Sequence, residues 1–336
     1  MKIKASIIGV SGYTGLELVK LLINHPVFEL SAVFATEDND ELHNLHSCLQ
    51  NIISIPVFQV DMQKIINYSE VVFLALPHQK AMEYAKALWD RDIKIIDLSA
   101  DYRLSLENYE KYYCEHSDKE NLKNAVYGLP EYNRQSIKNA KLIANPGCYP
   151  TATLLGILPF APYLDSTQTL YIDAKSGVSG AGKKLSNTSH FATINENLFA
   201  YSPLSHRHSP EINEQIQILG KISIKSLFVP HLIPITRGML ISIYAKLKES
   251  INPLEVLKEH YKDEPFIRIR ENCVQIKNVA GTHFCDIFAK SDGEDLFITS
   301  SIDNLLRGAS SQAIANANLM CGLDENLGMP RIPYAP

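Results

Sequence analysis

Apolar residues recur along the first 150 positions in two alternating patterns, one typical of buried strands and one typical of helices. The strand-like segments are residues 2–10, 29–36, 70–77 and 93–100, and the helix-like segments are residues 16–25 and 81–90. The run EVVFLALP is apolar almost throughout, as in strands that are buried on both faces of a parallel sheet. This alternation predicts an α/β domain with a Rossmann-type, doubly wound parallel sheet.

The pattern changes from about residue 150 onward. Long strand-like segments at 169–177, 227–247 and 294–304 are separated by few helix-like ones, of which PLEVLKEHYK is the clearest. Such an order predicts an α+β domain with a largely antiparallel sheet. A helix rich in small residues, GASSQAIANANLMCGL, and an irregular tail follow.

Composition narrows the classes of function. The chain has 336 residues and a formal charge of −5, so it lacks the basic surface that nucleic-acid binding needs. No apolar run approaches the length of a membrane span, and no signal-peptide pattern occurs at the N-terminus. The six cysteines are scattered without a CxxC pair, which predicts reduced thiols in a cytoplasmic protein and no metal site.

A glycine-rich segment, GVSGYTGLEL, lies between the first predicted strand and the first predicted helix. Gly9, Gly12 and Gly15 have the spacing GxxGxxG, and a strand before and a helix after such a turn favour dinucleotide binding. The helix N-terminus attracts a pyrophosphate, and Ser11 and Thr14 add hydroxyl donors. The alternative is a tight turn that binds no ligand.

The residues after the second strand bear on which dinucleotide binds. Glu37 and Asp38 lie where a carboxylate contacts the ribose hydroxyl of NAD(H), and no Lys or Arg occurs between Ser31 and Gln50. These residues favour NAD(H) over NADP(H). The alternative is a solvated acidic loop.

One cysteine, in the segment NPGCYPT, has surroundings that favour chemistry. Gly147 permits a tight turn, and Pro150 is typical of the first turn of a helix, so we expect Cys148 at a helix N-terminus. The helix dipole there stabilises a thiolate. Asn145 is a candidate donor to an oxyanion. The alternatives for Cys148 are a buried structural thiol and a redox-sensing thiol.

A proton partner for the thiol is expected in the segment HRHSPEI. Pro210 predicts a helix start, with His208 just ahead of it and Glu211 in the first turn. A histidine at this place is a candidate general acid and base. His206 is the alternative base, and Glu211 is positioned to orient an imidazole or to meet a substrate cation.

Nine segments together resemble the N-acetyl-gamma-glutamyl-phosphate reductase family of arginine biosynthesis. They occur in the order GVSGYTGLEL, LALPH, DLSADYRL, YGLPE, NPGCYPT, SGVSGAGK, HRHSPEI, PHLIPITRGM and DNLLRGASSQA. The resemblance implies NADPH-dependent reduction of an acyl phosphate to a semialdehyde through a cysteine thioester. It implies Cys148 as nucleophile and His208 as acid and base, with Glu211 in support.

The resemblance also implies the organisation of the chain. Residues 1–147 are expected to form the dinucleotide-binding domain, completed by the C-terminal segment 305–336. Residues 148–304 are expected to form the catalytic and dimerisation domain. A homo-oligomer, a dimer or a tetramer, is implied, with a small acyl phosphate as the substrate and with neither nucleic acid nor membrane as a partner.

The candidate ligand-binding residues fall into two sets. The cofactor set is Gly9, Ser11, Gly12, Tyr13, Thr14, Gly15, Thr36, Pro77, Ser176, Gly177 and Asn304. The substrate and phosphate set is Arg103, Lys183, His206, Arg207 and Arg237. NADP(H) follows from the resemblance, and NAD(H) remains the alternative because of Glu37 and Asp38. Two other functions stay open: reduction of an acyl phosphate one methylene longer, N-acetyl-aminoadipyl phosphate, and redox sensing without catalysis.

Overall fold

The computed structural model describes residues 2–36 and 41–335. The chain forms two compact units. The first comprises Met1–Pro146 and Ala309–Met329, and the second comprises Gly147–Gly308 and Pro330–Pro336.

The first unit is built on a seven-stranded sheet in which every pairing is parallel. Its strands are β1 (Ile3–Ile8), β2 (Phe28–Ala35), β3 (Val57–Gln59), β4 (Val71–Leu74), β5 (Lys94–Asp97), β6 (Val126–Tyr127) and β7 (Leu142–Ala144). Its helices up to this point are α1 (Tyr13–Ile23), α2 (Leu42–Leu45), α3 (Met62–Tyr68), α4 (Ala81–Leu88), α5 (Leu106–Tyr112), α6 (Lys119–Leu122) and α7 (Pro130–Lys138). The strand order is β3-β2-β1-β4-β5-β7-β6.

Apolar strands bury both faces of this sheet. On one face Phe34, Leu74 and Ile95 pack with residues of α3 and α4, including Ile65 and Ala85. Helix α1 packs against β1 and β2. Two-sided burial explains why the strand sequences are apolar without alternation.

The second unit contains a mixed sheet with the order β12-β13-β14-β11-β8-β10-β9. Its strands are β8 (Leu170–Gly177), β9 (Phe199–Ala200), β10 (Ser226–Ile233), β11 (Met239–Lys246), β12 (Ile267–Ile269), β13 (Cys285–Asp292) and β14 (Asp295–Ile302). Its helices are α8 (Cys148–Ile157), α9 (Phe191–Ile194), α10 (His208–Gly220) and α11 (Pro253–His260). Four of the pairings are antiparallel, β13–β14, β14–β11, β11–β8 and β10–β9. The pairs β8–β10 and β12–β13 are parallel. The predicted fold class is therefore confirmed.

Helix α8 lies at the centre of the second unit. It contacts β11, β13, β14 and α10, and its residues from Tyr149 to Ile157 are buried. The Ser300 hydroxyl donates to the carbonyl of Ala152, and the Tyr261 hydroxyl donates to that of Leu155. Packing against three strands and a second helix fixes the position of the residue that begins α8, Cys148.

The chain returns to the first unit at its C-terminal helix, α12 (Ser311–Met320), which contacts α1, α7 and β5. The residues after Met329 have hydrogen-bond partners in the second unit instead. His283 donates its N–H to the carbonyl of Pro330, and Tyr334 donates its N–H to that of Ala280. The tail after Met329 thus packs on the second unit, whereas the sequence analysis placed all of 305–336 with the first. Backbone hydrogen bonds to the 280–283 loop are the physical reason. The domain boundaries as a whole stay a prediction.

Candidate active site

The glycine turn of the first unit has three glycines with three different surroundings. Gly9 has a φ of +95°, and a Cβ there would collide with the backbone of Ala75. A Cβ on Gly15 would lie 2.6 Å from the carbonyl oxygen of Gly9, so this glycine allows α1 to pack on the turn. At Gly12, the N-cap of α1, a Cβ would lie 4.0 Å from its nearest described neighbour. The turn is tight, α1 packs closely on it, and the N-terminus of α1 is not crowded by neighbouring atoms. These three features fit a bound pyrophosphate.

The other cofactor candidates of this unit follow strand ends. Tyr13 begins α1, and the carbonyl of Thr14 accepts the hydroxyl of Ser310. Thr36 and Pro77 are exposed just beyond β2 and β4, at the edge of the sheet where ligands bind in doubly wound folds. Ser11 is exposed in the glycine turn. Glu37 and Asp38 lie outside the described residues.

Asn145 is buried at the end of β7, and its side chain is held within the first unit. Its amide nitrogen donates to the carbonyl of Ala309 at 3.2 Å, and its amide oxygen accepts from Asn316 of α12 at 3.1 Å. Its backbone carbonyl accepts the Nε–H of Arg103 at 2.7 Å. The oxyanion role of Asn145 stays a prediction.

Arg103 is also buried, and the structure gives it backbone partners. Besides the carbonyl of Asn145, its Nη2 donates to the carbonyl of Leu98 at 2.8 Å. Nearby, burial is the main cause that raises the pKa of Asp97 to about 7, and the charge of Asp101 adds to it. Asp97 begins the segment DLSADYRL, but the sequence analysis did not single it out as a candidate site residue.

The nucleophile candidate of the second unit lies where it was expected, as the first residue of α8. Gly147 is the N-cap, in an extended conformation. The N–H of Gly147 donates to Oε1 of Glu211 at 2.9 Å, and this carboxylate is 1% exposed. Glu211 lies in the first turn of α10, which begins at His208, two residues earlier than Pro210 suggested. One buried hydrogen bond therefore links the beginnings of the two helices.

Both candidate bases belong to one aromatic cluster beside this link. The rings of His206 and His208 are 4.9 Å apart, and each makes an edge contact with Tyr149. Nδ1 of His206 accepts the backbone N–H of His208 at 3.1 Å. Burial, with Arg207 adding to it, lowers the pKa of His206 to about 4. His206 is consequently a neutral imidazole at physiological pH.

Two tyrosines in this cluster were missed by sequence reasoning. The Tyr201 hydroxyl donates to that of Tyr149 at 3.1 Å, and Tyr149 donates to the carbonyl of His231. Burial raises the pKa of Tyr201 to about 12 and that of Tyr149 further still. Both therefore stay protonated. Their only sequence signal was the position of Tyr149 directly after the cysteine.

A turn formed by residues 303–308 lies against the nucleophile. A Cβ built on Gly308 would lie 2.5 Å from Cβ of Cys148. Asn304 in the same turn accepts the N–H of Gly238 and donates to the hydroxyl of Ser179. The side chain of Asn304 thus joins two neighbouring loops.

The remaining predicted residues of the second unit differ in exposure. Ser176 is buried, and its hydroxyl donates to the carbonyl of Gly177. A Cβ on Gly177 would lie 2.9 Å from the backbone nitrogen of Arg237. The Arg237 guanidinium pairs with Asp303, at 2.9 Å from Nε to Oδ2. Lys183 and Arg207 are exposed.

The described part of the chain contains neither a metal-binding cluster nor a membrane-spanning helix. Within residues 2–36 and 41–335, no group of three or more His, Cys, Asp or Glu side chains is arranged to hold a metal ion. No helix in those ranges is long and apolar enough to cross a membrane.

Comparison with known proteins gives the class. Residues 4–140 match the model for the semialdehyde dehydrogenase NAD-binding domain, and residues 148–304 match that for the semialdehyde dehydrogenase dimerisation domain. Aspartate semialdehyde dehydrogenase II of Vibrio cholerae has a similar structure, with a TM-score of 0.72 and 15% identity over 96% of this chain and 99% of that one. The Candida albicans enzyme, solved with NADP, gives 0.71 and 15% over 95% and 99%. The chain thus has the fold of the semialdehyde dehydrogenase class.

Sequence relatives narrow the class further. A protein of Wolinella succinogenes is 61% identical over 100% of this chain and 99% of its own length, and one of Sulfurovum sp. is 58% identical over 99% and 100%. Both are named N-acetyl-gamma-glutamyl-phosphate reductase. The chain therefore belongs to the N-acetyl-gamma-glutamyl-phosphate reductase family.

Proposed function

We propose that this protein reduces N-acetyl-gamma-glutamyl phosphate to N-acetylglutamate 5-semialdehyde and phosphate, the third step of arginine biosynthesis. The observation that supports it most is the buried bond from Gly147 to Glu211. It links the helix that begins with Cys148 to the helix that begins with His208. A nucleophile and a proton carrier held in this way suit acyl transfer.

The chemistry of the chain's own residues follows from acyl-phosphate reactivity. The Cys148 sulfur attacks the acyl carbon, the bond from that carbon to the phosphate oxygen breaks, and a thioester forms as phosphate leaves. NADPH, when bound, supplies the hydride that reduces this thioester. The bond from the acyl carbon to the Cys148 sulfur then breaks and the aldehyde forms, while His208 returns to this sulfur the proton that it took from the thiol before the attack.

We prefer His208 as the acid and base because a ring nitrogen of His206 is already used in a backbone hydrogen bond. Nδ1 of His206 accepts a backbone N–H, and its pKa of about 4 keeps it neutral. A neutral ring fixed by a backbone bond is suited to positioning the substrate. We assign the proton transfer to His208 and the support of the turn to Glu211.

The cofactor of the proposal is NADP(H), held at the open N-terminus of α1. Gly9, Gly12 and Gly15 form the cradle, with Ser11 and Thr14 as hydroxyl donors. Thr36 is exposed beyond β2, where a 2′-phosphate is recognised in folds of this kind. Comparison of kcat/KM for NADPH and NADH tests this. An NADH preference would contradict it and favour the carboxylates Glu37 and Asp38.

Further residues complete the proposal. Cofactor contacts from Tyr13, Pro77, Ser176, Gly177 and Asn304 belong to it. So do phosphate contacts from Arg103, Lys183 and Arg207 and an oxyanion contact from Asn145.

A homo-oligomer, a dimer or a tetramer, and a cytoplasmic location also belong to the proposal. Residues 148–304 match a dimerisation domain, and the sheet of this unit exposes Tyr171 and Tyr244 side by side on β8 and β11. None of the six cysteines forms a disulfide, as in a reducing compartment. Light scattering of the purified protein should give a dimer or a multiple of it. Substitution of Tyr244 by Asp should weaken that assembly, and a monomeric wild type would contradict it.

The reverse reaction tests the function itself. We expect reduction of NADP⁺ that requires both N-acetylglutamate 5-semialdehyde and inorganic phosphate. The semialdehyde one methylene longer should be used with lower kcat/KM, by about tenfold or more. The relatives carry the shorter substrate in their names. Cofactor binding without phosphate-dependent turnover would contradict the proposal and support a redox sensor.

A further inference from the structure

The turn that lies against Cys148 is held by one buried carboxylate, Asp303. Its Oδ1 accepts the backbone N–H groups of Leu305 and Leu306, at 2.9 and 3.0 Å. Its Oδ2 accepts the N–H of Gly281 at 2.7 Å. The side chain is 0% exposed. A carboxylate with three backbone donors fixes the segments that supply them.

Arg237 completes this group of contacts. Its Nε lies 2.9 Å from Oδ2 of Asp303, and its Nη2 donates to Oδ1 at 3.2 Å. The guanidinium also lies over the ring of Tyr334, 5.4 Å from the centroid. An arginine paired through two nitrogens and stacked on an aromatic ring is oriented by the protein itself. These contacts direct Nε and Nη2 of Arg237 toward Asp303.

The turn held by Asp303 ends at the nucleophile. The carbonyl of Asp303 accepts the N–H of Gly308 at 2.9 Å. Gly308 lies so close to Cys148 that an added Cβ would be 2.5 Å from the cysteine Cβ and 3.1 Å from its Cα. The position of the turn therefore limits where the thiol can lie.

We propose that Asp303 and Arg237 are a pair of positioning residues that set the Gly308 turn against Cys148, and that Arg237 is not a ligand of the substrate phosphate. Asp303 fixes the turn through its backbone donors. Arg237 neutralises the buried carboxylate and holds it in place. The inference rests on the proposed function for its kinetic readout only, because the reactivity of the Cys148 thiol can be measured without turnover.

The test compares this pair with a similar pair in the same unit. Asp286 is also 0% exposed, and Arg268 pairs with it at 2.6 Å and lies over the ring of Phe284. The test variants are D303N, R237Q and the double variant. The matched controls are D286N and R268Q, which break a similar buried pair whose carboxylate lies on β13 opposite Ser301 and not in the 303–308 turn.

Two readouts separate positioning from general stability. The first is alkylation of Cys148 by iodoacetamide from pH 6 to 10, followed on the Cys148 peptide by mass spectrometry. The second is kcat and KM for phosphate in the reverse reaction. Melting temperatures establish that each variant is folded.

The Asn side chain of D303N places an N–H₂ group where an acceptor is needed, so we expect the turn to shift. Misplacement of a reacting group by about 1 Å costs roughly 10²-fold. We therefore expect D303N and R237Q each to lower kcat by roughly ten- to a hundredfold and to change the alkylation profile of Cys148. The KM for phosphate should change by less than about threefold. The double variant should be no worse than D303N, since the two residues act as one unit. The controls should lower only the melting temperature.

Other outcomes overturn the proposal. If R237Q raises the KM for phosphate tenfold or more and leaves kcat and alkylation unchanged, Arg237 is a phosphate ligand. If D303N affects Cys148 no more than D286N does, the pair is merely structural. Should D303N not fold, R237Q against R268Q decides by the same criteria. If the wild type has no phosphate-dependent turnover, the proposed function fails, and the alkylation profiles still decide on positioning.

Discussion

The contact between Gly308 and Cys148 makes a sharp prediction for the variant G308A. The added Cβ would lie 2.5 Å from Cβ of Cys148 and 3.1 Å from its Cα. Non-bonded carbon atoms pack best at about 3.5–4.0 Å, so the two backbones must separate by about 1 Å. Gly308 is buried and α8 is packed on several sides, which leaves little room for that movement.

The expected cost has two parts. Overpacking of this kind destabilises a fold by about 1–3 kcal/mol. Displacement of the nucleophile by about 1 Å lowers kcat by roughly 10²-fold. The loss of activity should therefore be much larger than a modest fall in melting temperature would suggest, and the alkylation rate of Cys148 should change with it.

The assay is the phosphate-dependent reverse reaction, run beside a control on the same helix. A Cβ on Gly156 of α8 would lie 3.3 Å from Cδ1 of Ile243 and 3.5 Å from Cγ2 of Ile298, both of which are movable side-chain atoms. G156A should keep kcat within about threefold, because these side chains can move to accommodate the added Cβ. Alanine also improves helix propensity by up to about 1 kcal/mol, which offsets part of the cost in stability. A G308A variant with wild-type kcat and alkylation would refute the role of this contact.

Three further predictions concern the residues around the nucleophile. E211Q exchanges a charged acceptor of the Gly147 N–H for a neutral one, so kcat should fall roughly tenfold, and a wild-type kcat would argue against the link between the helices. The unfolded chain takes up a proton on His206 between pH 6.5 and about 4 that the native chain does not. Native stability should therefore fall over that window by about 3 kcal/mol more than in H206Q, as measured by urea unfolding, and equal losses would contradict the burial of a neutral ring. H208N should lower kcat and remove one limb of the pH–rate profile, whereas an unchanged profile would transfer the base role to His206.

The sheet of the first unit could be predicted from the chain because its long strands are apolar throughout. The shorter strands could not. β3 and β6, Val57–Gln59 and Val126–Tyr127, are too short to show a period of two. They form because the neighbouring strands offer free edges, which is a property of the assembled sheet.

The position of Cys148 was also predictable, because glycine and proline act locally. A turn before Cys148 and a proline shortly after it define a helix start in any fold. The start of α10 was predicted two residues late, because proline is tolerated throughout a first turn, where N–H groups have no helical partner.

The contacts that hold the site could not be predicted. Gly147 and Glu211 are 64 residues apart, and Arg237 and Asp303 are 66 apart. A single sequence contains no signal that pairs such positions. From its loop alone Arg237 resembled a free cation for a phosphate, and its pairing with a buried carboxylate appears only in the folded chain.

The measurement that tests the proposed chemistry most directly is detection of the acyl group on Cys148. The protein is incubated with N-acetylglutamate 5-semialdehyde and NADP⁺ without phosphate, then digested and analysed by mass spectrometry. We expect an acyl adduct on the Cys148 peptide that disappears when phosphate is added, and no adduct in C148S, which should still bind cofactor. Near-normal turnover by C148S, or an adduct confined to another cysteine, would contradict covalent catalysis by Cys148.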